Sequence, residues 1–144
     1  MRHVMHVVKE TQASAIKMEG SMELVPLIER LTTLGIDVMG HIGLQPQRFG
    51  DASGFRVQGA TAHSALNILR TAQALEAAGC FSIVLECIPS KLGEAISQRL
   101  DIPTIGIGAG PHTHGQVLVC TDIMGDLTSP SHVSAVLAGL ETVS

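Results

Sequence analysis

Gly79-Cys80-Phe81-Ser82-Ile83-Val84-Leu85-Glu86 is the stretch that decides the reading: a glycine, an almost unbroken apolar run, then a carboxylate. Apolar side chains at successive positions suit a strand covered on both faces, as in parallel sheets. Upstream, Leu66, Ile68, Leu69, Ala72, Leu75 and Ala78 recur at helical spacing after Thr61 and stop at Gly79, which predicts a helix leading into a strand over residues 81–85.

Working outward, the same unit recurs. Residues 2–12 carry Val4, Met5, Val7 and Val8 in a helix-compatible pattern, and 15–20 read as a strand. Leu24, Leu27, Ile28 and Leu31 predict a helix over 22–34, with Pro26 near its start and Gly35 as its stop, then a strand over 36–40. Downstream come a helix over 90–100, a strand over 103–107, a glycine-rich turn and a last strand over 116–119. Residues 45–59, rich in Gly and Gln, are too long for an ordinary strand-to-helix connection and mark a candidate functional loop.

Such alternation gives parallel strands joined by helical crossovers, in a closed barrel or an open doubly wound sheet. The polar residues discriminate. Lys17 and Glu19, His41, and Glu86 end successive apolar strands, as in a β/α barrel, which gathers its chemistry from several strand ends. An open sheet concentrates its ligand at one crevice. The expected fold is therefore α/β, a partial (β/α)8 barrel with about five of eight strands, forming a single incomplete domain over residues 1–144. Its opening on a helix suggests entry partway round the barrel.

Composition narrows the function. Hydrophobic residues make up 45% of 144, and the mean hydropathy is +0.33, which argues against disorder. A net charge of -4, with no Trp or Tyr, offers neither the basic surface nor the stacking rings that nucleic acid requires. The longest stretch lacking charged residues, 102–121, is broken by Pro103, Pro111 and several glycines, so no membrane span is expected. Cys80, Cys87 and Cys120 lack zinc-type spacing and read as free thiols of a reducing compartment.

Lys17 and Glu19 lie two apart on one strand and so share a face. They form either a structural ion pair or a site in which Glu19 serves a hard cation such as Mg²⁺ and Lys17 a substrate's negative charge. His41, between Gly40 and Ile42-Gly43, is either a satisfied core group or a ligand contact with small neighbours that admit close approach. Glu86 closes so apolar a run that it is suited to accept a proton; the plainer alternative is an ion pair with a neighbouring strand. Gly106-Ile107-Gly108-Ala109-Gly110-Pro111 departs from the dinucleotide fingerprint and reads as a tight turn beside the site. His112 and His114 form an H-x-H without a third ligand, expected in a solvent-exposed loop.

Lys17-Met18-Glu19-Gly20, Gly40-His41-Ile42-Gly43-Leu44-Gln45-Pro46-Gln47, Gly54-Phe55-Arg56-Val57-Gln58-Gly59, Ala74-Leu75-Glu76-Ala77-Ala78-Gly79, Leu85-Glu86-Cys87-Ile88-Pro89 and Ile102-Pro103-Thr104-Ile105-Gly106-Ile107-Gly108-Ala109-Gly110 together resemble the ketopantoate hydroxymethyltransferase family, in that family's order and up to about Gly125. The resemblance implies a barrel of the phosphoenolpyruvate mutase type. It also implies transfer of a hydroxymethyl group from 5,10-methylenetetrahydrofolate to 3-methyl-2-oxobutanoate, giving 2-dehydropantoate for pantothenate and coenzyme A biosynthesis. Glu19 then corresponds to a Mg²⁺-binding carboxylate, Lys17 and His41 to groups contacting the 2-oxo acid, and Glu86 to the catalytic proton acceptor.

Departures from the family accompany the matches. Its first three strands, with two metal-binding aspartates, would precede Arg2. Ser21 and Ser53 stand where it has glycine, and Thr121 where it often has histidine. Two outcomes are expected: a transferase whose activity needs the remaining barrel half, or an inactive barrel remnant that binds a homologue. Association is expected in either case, as a homo-oligomer or with that half, because open strand edges invite pairing. The compartment implied is cytoplasmic, or mitochondrial if targeting information lies on a preceding segment.

Overall fold

The computed structural model describes residues 2–45, 56–120 and 123. Helix α1 (Arg2–Thr11) leads into strand β1 (Ala15–Glu19). A short 3₁₀ turn, Met22–Leu24, opens helix α2 (Val25–Thr33), with Pro26 in the first turn, where its missing N–H has no intrahelical partner to lose. Strand β2 (Asp37–Gly43), helix α3 (Ala62–Ala77), strand β3 (Ser82–Glu86), helix α4 (Ser90–Ser97), and strands β4 (Thr104–Ile107) and β5 (Gly115–Gln116) follow.

All four strand pairings are parallel, and the sheet order is β1-β2-β3-β4-β5. Spatial order thus follows chain order without reversal. A doubly wound sheet would switch direction at its ligand crevice; the observed α/β arrangement is consistent with a stretch of barrel wall.

One face of the sheet carries the core. Val38, Ile42, Ile83 and Leu85 pack with Ile28 and Leu31 of α2, Ala72 and Leu75 of α3, and Leu92 and Ile96 of α4. Each fully buried Leu or Ile contributes about 1.5–3 kcal/mol, so these helices are held chiefly by this face. Thr61 caps α3, its hydroxyl accepting from the Ser64 N–H at 3.2 Å while Ser64 Oγ accepts from the Thr61 N–H at 3.1 Å. Helix α1 buries no residue fully, although Val4, Met5 and Val8 lean on the core.

Most strand bounds differ from the sequence reading by a residue, and two strand ends differ by more. Strand β2 runs to Gly43 rather than stopping at Gly40, which places His41 within the strand. The extension is possible because Gly43 adopts φ +96, where a Cβ would lie 2.0 Å from the Glu86 carbonyl oxygen; only glycine lets the two backbones approach so closely. Strand β5 ends at Gln116, and only one further ladder-like bond, from the Val117 N–H to the Gly106 carbonyl at 2.9 Å, extends beyond it. Most of the expected 45–59 loop, together with Ser53 and Thr121, lies outside the described residues.

Candidate active site

Register determines which side chains meet. Lys17 pairs with Met39, Glu19 with His41, His41 with Val84, and Gly43 with Glu86. Paired residues of parallel strands point to the same side, and every second residue returns to it. Lys17, Glu19, His41 and Glu86 therefore share one face, opposite the one that carries the helices. Lys17 is exposed, Glu19 and Glu86 are half-buried, and His41 is 3% exposed.

His41 and Glu86 are in direct contact, with Nε2 2.8 Å from Oε2. The distance is that of an ion pair, yet the ring N–H is not aimed at the carboxylate oxygen, and neither ring nitrogen makes a directed hydrogen bond among the described residues. The two groups thus meet without a directed hydrogen bond, and Nδ1 is left buried and unpartnered among the described residues. The proton-acceptor and ion-pair readings of Glu86 meet here in one geometry, since the neighbouring strand supplies its partner.

The backbone around Glu86 is held from three sides. Its carbonyl accepts from the Leu44 N–H at 2.9 Å; the next N–H, of Cys87, donates to the Ile107 carbonyl at 2.8 Å; and the Cys87 carbonyl accepts from the Gln58 N–H at 2.8 Å. Cys87 itself sits at φ +52, a conformation that costs a non-glycine residue about 1–2 kcal/mol. These bonds offset that strain and fix the direction in which the carboxylate leaves the strand. Burial, then the Glu86 charge, pushes the Cys87 thiol above its ordinary range.

The end of β1 is fastened to β2 by two bonds. The Gly20 N–H donates to the His41 carbonyl at 2.6 Å, and the buried side chain of Gln45 donates through Nε2 to the Gly20 carbonyl. Gln45 thereby sets where Glu19 sits beside His41. Its place within the Gly-His-Ile-Gly-Leu-Gln stretch is the only sequence signal of this role. Ser21 follows directly; its hydroxyl is buried and has no partner among the described residues.

The glycine-rich turn after β4 serves packing. A Cβ on Gly110 would lie 2.1 Å from Ser90 Oγ, and one on Gly93 2.4 Å from the Ala109 carbonyl, so the turn rests directly against the start of α4. His112 is exposed, as expected of the loop. His114 is exposed as well, and its Nδ1 accepts from the Thr104 N–H at 3.1 Å and lies 3.0 Å from the Thr104 hydroxyl.

A hard divalent cation requires several oxygen ligands. Among the described residues no three His, Cys, Asp or Glu side chains converge to hold a metal. Glu19 offers a single carboxylate, so the described residues do not form a Mg²⁺ site by themselves. Nor, among them, is any helix long and apolar enough to cross a membrane.

A family model described as ketopantoate hydroxymethyltransferase matches residues 1–143. The 3-methyl-2-oxobutanoate hydroxymethyltransferase of Anaeromyxobacter dehalogenans is 51% identical over 125 residues, which are 87% of this chain and 41% of the relative. The proteins of the same name from Heliobacterium modesticaldum and Francisella tularensis subsp. tularensis are 49% and 50% identical over 125 residues, 45% and 47% of their lengths. The chain spans less than half the length of these relatives.

Proposed function

The chain belongs to the ketopantoate hydroxymethyltransferase family, and from that premise we propose that it forms the later part of the family's barrel, of the phosphoenolpyruvate mutase type. In this reading it carries the substrate-activating half of a site for hydroxymethyl transfer to 3-methyl-2-oxobutanoate. The supporting observation is the shared face of Lys17, Glu19, His41 and Glu86, with His41 and Glu86 2.8 Å apart.

The chemistry follows from where each group sits. Water releases the one-carbon unit of 5,10-methylenetetrahydrofolate as formaldehyde, both C–N bonds breaking to leave tetrahydrofolate; removing a proton from the carbon beside the ketone leaves an enolate that adds to the formaldehyde carbon, and the resulting alkoxide takes up a proton to give 2-dehydropantoate. Glu86 is the proton acceptor, aimed by its bonded backbone. His41 is held by Glu86 on its Nε2 side, which leaves Nδ1 for a substrate oxygen. Lys17, exposed on the same face, is free of the apolar core and can meet the substrate carboxylate as a flexible point charge. Glu19 would contribute one oxygen to a Mg²⁺ whose other ligands come from outside the described residues.

The second reading, an inactive remnant associating with a homologue, draws on the same shortage of metal ligands. The two are separated by assaying 2-dehydropantoate formation with Mg²⁺, methylenetetrahydrofolate and 3-methyl-2-oxobutanoate. The chain is tested alone and mixed with the N-terminal half of one of the relatives. Product only in the mixture supports the transferase reading; product from the chain alone contradicts the incomplete metal site. No product in either, with a stable complex in sedimentation, favours the remnant.

A further inference from the structure

A buried hydroxyl without a hydrogen-bond partner costs about 1–3 kcal/mol, so folded proteins rarely keep one without a use. Ser21 Oγ is such an atom. The residue stands at the N-cap of the Met22–Leu24 turn, a position where serine ordinarily bonds the following backbone N–H groups, yet its side chain makes no capping bond. Its hydroxyl is therefore spent neither on the turn nor on any neighbour among the described residues.

Position indicates what it can reach. Ser21 lies two residues beyond Glu19, its backbone extended at φ -143 and ψ 165. Period-two alternation then presents its side chain on the face of Glu19 and His41. The intervening Gly20 is bonded through its N–H to the His41 carbonyl and through its carbonyl to Gln45, so the segment carrying Ser21 is fixed against β2. On the same rim Nδ1 of His41, the residue beside which β1 ends, is likewise buried without a hydrogen-bond partner among the described residues. Two unsatisfied polar atoms at one end of one sheet face call for a ligand rich in acceptor oxygens.

We infer that Ser21 is a further substrate-contacting residue, its hydroxyl donating a hydrogen bond to an oxygen of the bound 2-oxo acid, an inference that rests on the function proposed above. Serine rather than glycine at this position would make this chain's 2-oxo acid subsite more polar by one donor.

The test is an NMR titration of the full isotope-labelled chain, mixed with Mg²⁺ and the N-terminal half of one of the relatives, with 3-methyl-2-oxobutanoate, comparing wild type with Ser21→Gly, Ser21→Ala and Ser21→Thr. Loss of the hydroxyl is expected to weaken binding about three- to tenfold, as for one neutral hydrogen bond, while Ser21→Thr, which keeps it, stays near wild type. Thermal melts check that each variant is folded. Wild-type binding that is unchanged in Ser21→Gly and Ser21→Ala overturns this inference alone. A folded wild-type chain that shows no saturable binding even in the complemented mixture overturns the proposed function, and this inference with it.

Discussion

His41 and Glu86 meet side chain to side chain across two strands at 2.8 Å, yet their carbonyls are fixed by different segments: His41 by the N–H of Gly20, Glu86 by the N–H of Leu44. The contact therefore reports the placement of β1, of the turn after β2 and of β3 together. A disturbance in any of them changes the distance between acid and base.

Glu86→Gln preserves size and removes the proton-accepting charge. Hydroxymethyl transfer in the complemented enzyme is expected to fall by about 10²–10⁴-fold, with far-UV circular dichroism unchanged. Activity within a few-fold of wild type would remove Glu86 from the chemistry.

Gly43→Ala tests the close backbone approach. The added Cβ meets the Glu86 carbonyl oxygen at 2.0 Å on a backbone at φ +96, so the loss combines strain with overpacking, about 2–4 kcal/mol in urea unfolding. A cost under half a kcal/mol would show that the strands separate freely there.

Glu76 of α3 accepts through Oε1 from the N–H groups of Asp101, at 2.6 Å, and Ile102, at 3.2 Å, tying the α4–β4 connection to a neighbouring helix. Glu76→Ala should cost about 1–3 kcal/mol by denaturant unfolding, as two charge-assisted bonds disappear. Amide hydrogen exchange at residues 101 and 102 should accelerate in parallel.

The Cys80 thiol, buried beneath the sheet, is pushed from 9.0 up to about 11 by desolvation, which a backbone hydrogen bond from Gly40 partly opposes. Its folded pKa lies above the unfolded one, so the folded chain holds the proton more tightly. Stability from this group is complete below pH 9 and declines as pH rises towards 11. Urea midpoints between pH 8.5 and 10.5 should therefore fall more steeply for wild type than for Cys80→Ala. Parallel slopes would contradict the burial of the thiol.

Much of the architecture was legible in the sequence, because the helical spacing of Leu66 through Ala78 gives way, past Gly79 and Cys80, to the almost unbroken apolar run of Phe81 through Leu85. That Lys17, Glu19, His41 and Glu86 lie on one face near the ends of their strands was legible for a similar reason, each being a polar residue late in an apolar run. What sequence could not show was contact between distant segments. The extension of β2 through Gly43 depends on a carbonyl of β3, and the Gln45 bond to Gly20 spans 25 positions. Nor could it show that Ser21 declines the cap it stands on, or that His114 closes on Thr104, since neither leaves a periodic trace.

Strand β2 serves two masters with alternate residues: Val38 and Ile42 go to the helices, His41 to the opposite side. Adding or deleting one residue within it would exchange those assignments, driving an imidazole into hydrocarbon and aliphatic groups onto the face of Glu19 and Glu86 at a stroke. Substitutions can alter that face letter by letter, but a change of one in the strand's length cannot.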